Sequence, residues 1–263
     1  MTGEADLAGR FAAEGLDWIV PDWTVASRVH AFATTRRGGV STGACATMNL
    51  GRNVGDDASL LAENRRRLES FLPSPPTWLS QVHGAGVAVL TASSSGAPSP
   101  VADAAVTREP GVVCAVLTAD CLPVLLADRR GNAVGIAHAG WRGLAAGVLE
   151  ATITALGARG VPPDDVVAWL GPAIGPDRFE VGADVRDRFC ANDSAAEASF
   201  TPQRLGKWHA DLFALARARL ARAGVHRATG GGQCTHSDAA RFFSYRRERD
   251  TGRMATAIWL AHD

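Results

Sequence analysis

Apolar residues along this chain come in short runs separated by turn residues, and the densest such region lies between positions 112 and 143. A run over 112–117 precedes a polar break, Thr118-Ala119-Asp120-Cys121. A second run over 122–127 leads into Asp128-Arg129-Arg130-Gly131-Asn132, and a third over 133–137 ends at His138. Short Val/Leu/Ile runs bounded by turn residues predict buried strands. The Arg-Gly-Asn turn predicts a hairpin between the second and third runs. Cys121 and His138 then sit at strand ends on either side of one hairpin, where side chains can form the lips of a pocket.

The same pattern predicts further strands over 18–25, 29–34, 78–82, 87–91, 165–170, 225–229 and 255–260. A helix runs to Leu72 from a cap at Asp56 or Asp57, with Leu60, Leu61, Leu68 and Phe71 on one face. Others are expected over 143–157, from 182 to 189, and over 208–223, where Leu212, Leu215, Ala216, Arg219 and Leu220 share a face and Gly224 is the stop. Residues 1–15 read as a loose or weakly helical arm, and the Ser/Gly/Pro-rich stretch 92–100 as a surface loop. Neither an internal repeat nor a separating linker is visible, so a single domain over 1–263 is expected.

Composition narrows the class. Lys plus Arg and Asp plus Glu are equal at 27 each, giving a formal net charge of zero, which argues against a nucleic-acid or membrane-surface partner. No apolar run reaches bilayer-spanning length, and the acidic, polar N-terminus does not read as a signal peptide. The five cysteines are scattered and odd in number, which suits a reducing compartment, by default the cytoplasm. The basic residues are nearly all arginine, the side chain suited to bidentate binding of phosphate and carboxylate.

Three groups carry potential chemistry: His83, Cys121 and His138, all at predicted strand ends. Two imidazoles and a thiolate form a good zinc set that leaves a fourth position open, as catalytic zinc sites do. The same residues permit a metal-free reading, with Cys121 as nucleophile and either histidine as its base. Cys234 and His236 form a Cys-x-His pair, but two ligands are not a site. Cys45, Cys114 and Cys190 lie among small or apolar neighbours and are expected to pack as small hydrophobes. Arg36, in the glycine-rich loop 35–43, could clamp an anion against backbone amides. Arg142, at a predicted helix start, and Arg246, beside an aromatic cluster, are the other anion candidates.

Taken together, these segments resemble the laccase-domain, or multicopper polyphenol oxidase-like, family, also called peptidoglycan-editing factors and purine nucleoside phosphorylases. The matching pieces are TRRGGVS (35–41), NLG (49–51), NR (64–65), QVHG (81–84), ADAAVT (102–107), TADCLPVLLAD (118–128), AHAGWRG (137–143), GPAIGP (171–176) and CTHSDAARFFSYRRERDTGRMA (234–255). The resemblance implies that His83, Cys121 and His138 ligate a metal, and that the fold is α+β with mixed sheets packed between helices. Asn49 and Gln81, inside two of these pieces, join Arg36, Arg142 and Arg246 as the expected phosphate- and substrate-binding set. Members often carry a cysteine in the GPxIGP loop, where this chain has Ala173.

What the resemblance implies about activity divides three ways. Copper-dependent phenol oxidation is disfavoured, because seven histidines, two of them in the strong motifs, cannot fill a laccase's four copper sites. Zinc suits a His2Cys set with an open fourth position better than copper, but copper binds such ligands more tightly in general and is the alternative metal. The favoured reading is phosphorolysis of adenosine, inosine or methylthioadenosine to free base and sugar 1-phosphate, with adenosine deamination as a further activity that a water-activating metal suits. The main alternative is a cysteine or zinc hydrolase that cleaves an amide in a nucleotide-linked muramyl precursor of peptidoglycan. A small-ligand binding module with a structural zinc is a third reading, opposed by the open fourth position.

Overall fold

The computed structural model describes residues 6–94, 96–191 and 193–262. In chain order its helices and strands are α1 (Leu7–Ala13), β1 (Val29–Ala33), α2 (Ala58–Glu69), β2 (Thr77–Trp78), β3 (Val87–Val89), β4 (Ala104–Thr107), β5 (Cys114–Thr118), β6 (Leu122–Asp128), β7 (Val134–Ala139), α3 (Trp141–Ala146), α4 (Val148–Gly157), β8 (Val166–Leu170), β9 (Glu180–Gly182), α5 (Ala183–Cys190), β10 (Phe200–Pro202), β11 (Lys207–Ala210), α6 (Leu212–Arg222), β12 (Arg227–Gly230), α7 (Tyr245–Glu248) and β13 (Met254–Leu260).

Two mixed sheets lie face to face. One is four-stranded, in the order β1-β13-β5-β2; the other is six-stranded, in the order β12-β8-β6-β7-β4-β3. The side-chain period of two explains the layering. On β6, Leu122, Val124 and Leu126 pack in the cluster shared with the helices, while Leu125 and Ala127 pack in the cluster between the sheets. On β13, Ile258 and Leu260 face that same inter-sheet cluster, while Ala255, Ala257 and Trp259 face Phe11 of α1 and Leu68 of α2. Leu149, Ile153 and Leu156 of α4 and Leu212, Leu215 and Leu220 of α6 cover the far face of the larger sheet. The result is the expected α+β fold, with mixed sheets packed between helices. Leu122, Leu125 and Leu126 are fully buried, and each such side chain contributes roughly 1.5–3 kcal/mol on burial.

The predicted hairpin is present: β6 and β7 pair antiparallel, with Pro123 opposite His138. Asp57 caps α2 by accepting from the Ser59 and Leu60 amides. Several boundaries differ from expectation. Residues 7–13 of the arm expected to be loose or weakly helical form α1, docked firmly with Phe11 buried against Trp18, Phe32 and Phe71; residues 1–5 lie outside the described residues. The stretch 18–25 makes a single bridge, Ile19 to Ala33, because Pro21 has no N–H to continue a ladder. The helix expected over 143–157 is two helices, broken where Gly147 takes φ 94°. Trp208 belongs to β11, and the helix begins after Asp211, whose carboxylate accepts from the Phe213 and Ala214 amides.

Candidate metal centre and active-site cleft

Between β5 and β6 the chain leaves the four-stranded sheet and enters the six-stranded one, and Asp120-Cys121 sits at that passage. Asp120 takes φ 89° there, an unfavourable geometry for a residue with a side chain. Its surroundings hold it: Oδ1 accepts from the Thr235 hydroxyl at 2.6 Å, Oδ2 from the Arg246 amide at 2.7 Å, and its carbonyl from the Ile174 amide. The turn thus gathers the 171–176 loop, the 234–236 segment and the start of α7 around Cys121.

His83 also has positive φ, 59°. The turn lets the backbone amides of Val82, His83 and Gly84 converge on the carboxylate of Asp103, at 3.1, 2.9 and 2.7 Å. The same carboxylate accepts from Nδ1 of His138 at 2.9 Å. Asp103 is fully buried and is held by its own backbone, which bonds Gly86 and His138. One carboxylate therefore positions both histidines and fixes Nδ1 of His138 as the donor, leaving Nε2 free to ligate.

The ligand atoms of His83, Cys121 and His138 lie within 4.8 Å of one another. Cys121 Sγ is 3.9 Å from His83 Nε2, and the two imidazoles sit at 4.8 Å between centroids. Gly140 makes the closeness possible: a Cβ there would stand 2.7 Å from Cys121 Sγ. Burial pushes the Cys121 thiol up, but the facing His138 and His83 outweigh it and bring the thiol below its ordinary value. Burial pushes His138 down, yet Cys121 and Asp103 outweigh that and raise it. The pair is thus polarised toward thiolate and imidazolium, and the thiolate is the form that binds metal. A tetrahedral zinc with bonds of about 2.0–2.3 Å wants donors roughly 3.3–3.7 Å apart, so small side-chain adjustments suffice and the residues fit.

The cluster opens into a cleft of about 1100 Å³, at the upper end for a small-molecule site. Trp78, Trp141, Phe179 and Tyr245 line it, as do Arg52, Arg65, Arg142, Arg246 and Arg253. The residues singled out from the sequence divide accordingly. Arg142 lies on the wall with its guanidinium over the Trp141 ring at 4.5 Å. Arg246 is there too, over Phe179 at 4.9 Å, with Nη1 bonded to the Glu180 carbonyl. Gln81 lines the cleft, but its amide pairs with both the N–H and the C=O of Leu117, acting as a strand residue would. That pairing replaces the expected backbone strand over 78–82, which stops after Trp78.

Two expectations are corrected. Arg36 does not line the cleft: its donors bond the carbonyls of Ala46 and Ala239 and the carboxylate of Glu248, and its guanidinium stacks on Phe243. The glycine-rich loop is therefore tied to the 239–248 segment, and its arginine is occupied. Asn49 is fully buried and gives its amide to Gly51 and Asp56, while its oxygen takes the N–H groups of Gly51 and Arg253. Cys234 packs beside Gly175, whose amide it accepts at 3.1 Å. The sequence assigned no role to Asp103 or Arg253, and Asp120 stood out only as the neighbour of the Cys121 thiol. Asp103 carried a signal: a lone carboxylate inside the small apolar stretch 102–107 is buried with its strand and must be paired.

Among known proteins, a family model described as multi-copper polyphenol oxidoreductase laccase matches residues 30–261. A Pseudomonas aeruginosa protein named a purine nucleoside phosphorylase is 52% identical, over 92% of this chain and 98% of its own. Purine nucleoside phosphorylase YfiH of Escherichia coli is 50% identical, with the same coverage. A crystal structure from Neisseria meningitidis superposes with a TM-score of 0.89 at 47% identity, covering 94% of this chain and all (100%) of that one. YlmD from Geobacillus stearothermophilus superposes with a TM-score of 0.83 at 34% identity, covering 89% of this chain and 93% of that one.

Proposed function

This chain belongs to the multi-copper polyphenol oxidoreductase laccase family, and from that footing we propose that it is a zinc-dependent purine nucleoside phosphorylase. The observation that carries the reading is a His–Cys–His cluster lining a large cleft whose walls are rich in arginine and aromatic residues. Relatives at about half identity bear the name purine nucleoside phosphorylase. The multicopper part of the family's name asks for several clusters of copper ligands. Among the described residues His83, Cys121 and His138 form one, and it suits a single zinc.

A divalent metal would be held by His83, Cys121 and His138 and would supply Lewis-acid chemistry there. The chain's own groups do the rest. Tyr245, half exposed and lining the cleft, offers a face for a purine. The wall arginines attract and orient phosphate and balance its charge. In the reaction a phosphate oxygen forms a bond to C1′ as the C1′–N9 bond breaks; that electron pair goes to the purine, which takes up a proton. Positioning of the two reactants supplies much of the acceleration. Asp103 keeps both histidines in place throughout.

The test is turnover by purified, metal-analysed protein given adenosine, inosine or methylthioadenosine, with and without phosphate. Free base and a sugar phosphate formed only with phosphate support the reading. Inosine from adenosine without phosphate would replace it with deamination. No turnover of any nucleoside would direct attention to amide cleavage in a muramyl precursor.

A further inference from the structure

The geometry points to Arg253 as the residue that binds the phosphate, held in place by the Asn49-Leu50-Gly51 segment. This inference rests on the phosphorolytic reading and names its anion subsite. Arg253 lines the same cleft as Cys121 and His138. It differs from the other arginines there in what its guanidinium meets. Arg65 is committed twice to the Leu50 carbonyl and stacks on Trp78. Arg246, like Arg253, has only Nη1 bonded, to the Glu180 carbonyl, but it stands exposed at the surface, as do Arg52 and Arg142. Arg253 is half buried, and only its Nη1 is occupied, by the carbonyls of Thr251 and Gly252. Among the described residues no carboxylate forms a salt bridge with it, and Nε and Nη2 make no hydrogen bond.

A guanidinium taken partly out of water without a counter-anion is unfavourable. Burial lowers its pKa, and the acidic groups that act on it are led by Cys121 and Asp120. Asp120 already has both oxygens engaged. A phosphate entering beside Cys121 would meet two unoccupied donors in the planar fork that suits a bidentate oxyanion.

The support for Arg253 is a built one. The Asn49 side chain takes the Arg253 amide, and the Leu50 amide bonds the Arg253 carbonyl. The stem of Arg253 crosses Gly51 so closely that a Cβ at 51 would lie 2.7 Å from its Cγ and 3.1 Å from its Cβ. Those are the inner atoms of the side chain and cannot swing aside while the guanidinium stays in place. Asn49, expected from the sequence to bind substrate, thus acts through Arg253 as a positioning residue.

The experiment compares wild type, Arg253→Lys, Arg253→Met and Gly51→Ala, each metal-loaded to equal content. Phosphate and nucleoside KM are measured separately, and 31P NMR follows binding of inorganic phosphate in the absence of nucleoside. Arg253→Met is expected to raise the phosphate KM about 10- to 100-fold, the range for loss of charge-assisted hydrogen bonds, with the nucleoside KM within about threefold. Arg253→Lys recovers part of the loss by restoring the charge, and Gly51→Ala raises the phosphate KM while leaving the arginine present. An unchanged phosphate KM in Arg253→Met overturns the inference. If wild type phosphorolyses no nucleoside, the functional reading fails instead, and the NMR arm decides separately: phosphate line broadening lost in Arg253→Met supports the subsite, and equal broadening overturns it.

Discussion

Replacing Asp103 by asparagine removes one charge at constant size and tests the central claim about the metal centre. The carboxylate receives hydrogen bonds from the amides of Val82, His83 and Gly84 and from Nδ1 of His138. An amide keeps one acceptor oxygen and presents two N–H donors. In one orientation the NH2 faces His83 N and His138 Nδ1; in the other it faces Val82 N and Gly84 N. In the second orientation two buried hydrogen bonds are lost; in the first the His83 amide loses its acceptor, and the His138 bond survives only if its direction reverses. With each unmet buried group costing about 1–3 kcal/mol, and some relaxation, the expected loss is about 3 kcal/mol. At about 2–4 °C per kcal/mol for a chain of this size, Tm should fall by roughly 6–12 °C. In the first orientation the amide also donates to Nδ1, which moves the ring proton to Nε2 and blocks ligation. In both orientations the imidazole loses its carboxylate partner, and zinc affinity should drop about 10- to 100-fold.

Zinc titration against a competing chelator and differential scanning calorimetry are the assays. Burial raises the Asp103 pKa, but His138 and the amides outweigh it and hold it below the ordinary carboxylate value. A depressed carboxylate contributes stability that is complete above its unfolded pKa of about 3.9 and is lost as pH falls through the lower folded value. The Tm gap between wild type and Asp103→Asn should therefore be full at neutral pH and close in acid. Zinc affinity within about twofold of wild type, with no Tm gap at neutral pH, would refute the claim that this carboxylate organises the site.

Other outcomes follow from single contacts. Cys121→Ala should abolish stoichiometric zinc, measured by elemental analysis, and turnover with it, while far-UV circular dichroism stays that of wild type, because the thiol is half buried and outside the main core. Gly140→Ala would set a methyl 2.7 Å from Cys121 Sγ; its φ of −59° suits alanine, so the fold should survive and metal affinity fall, read by the same titration. Asp57→Ala removes the cap of α2, with its bonds to Ser59 and Leu60, and should cost about 1 kcal/mol, seen as a small shift in the denaturation midpoint with zinc binding unaltered.

The layers of the fold were legible because the strands obey one rule. Where a strand is buried on both faces, as β6 is, its sequence is a continuous apolar run, and the period of two divides that run between two cores. The ends of elements were less so, and for identifiable reasons. Trp208 continues the periodicity of α6 backward, but Asp211 can form the cap and the residues before it pair with β9 and β10. Gly147 interrupts a pattern that otherwise fits one long helix, and only a positive φ shows that the chain stops and restarts there.

The site residues were legible to the extent that their role depends on their own type. His83, Cys121 and His138 are side chains whose chemistry can hold a metal, and three such side chains at strand ends already suggested one. An arginine's role depends instead on what its donors meet, and that is decided at long range. Arg36 stood beside paired glycines and invited an anion, yet Ala239 and Glu248, two hundred positions away, occupy it. Arg253, before a plain apolar strand, was assigned no role, yet Gly51 clears the path for its stem, and no carboxylate among the described residues forms a salt bridge with it. The NLG segment, the 234–255 segment and the Asp120 turn are therefore one device: a frame that carries an arginine, free to bind an anion, to the edge of a metal cluster built on the opposite sheet. If that frame is what the segment is for, Gly51→Ala and Arg253→Met should fail alike in phosphate binding, and neither should lose zinc.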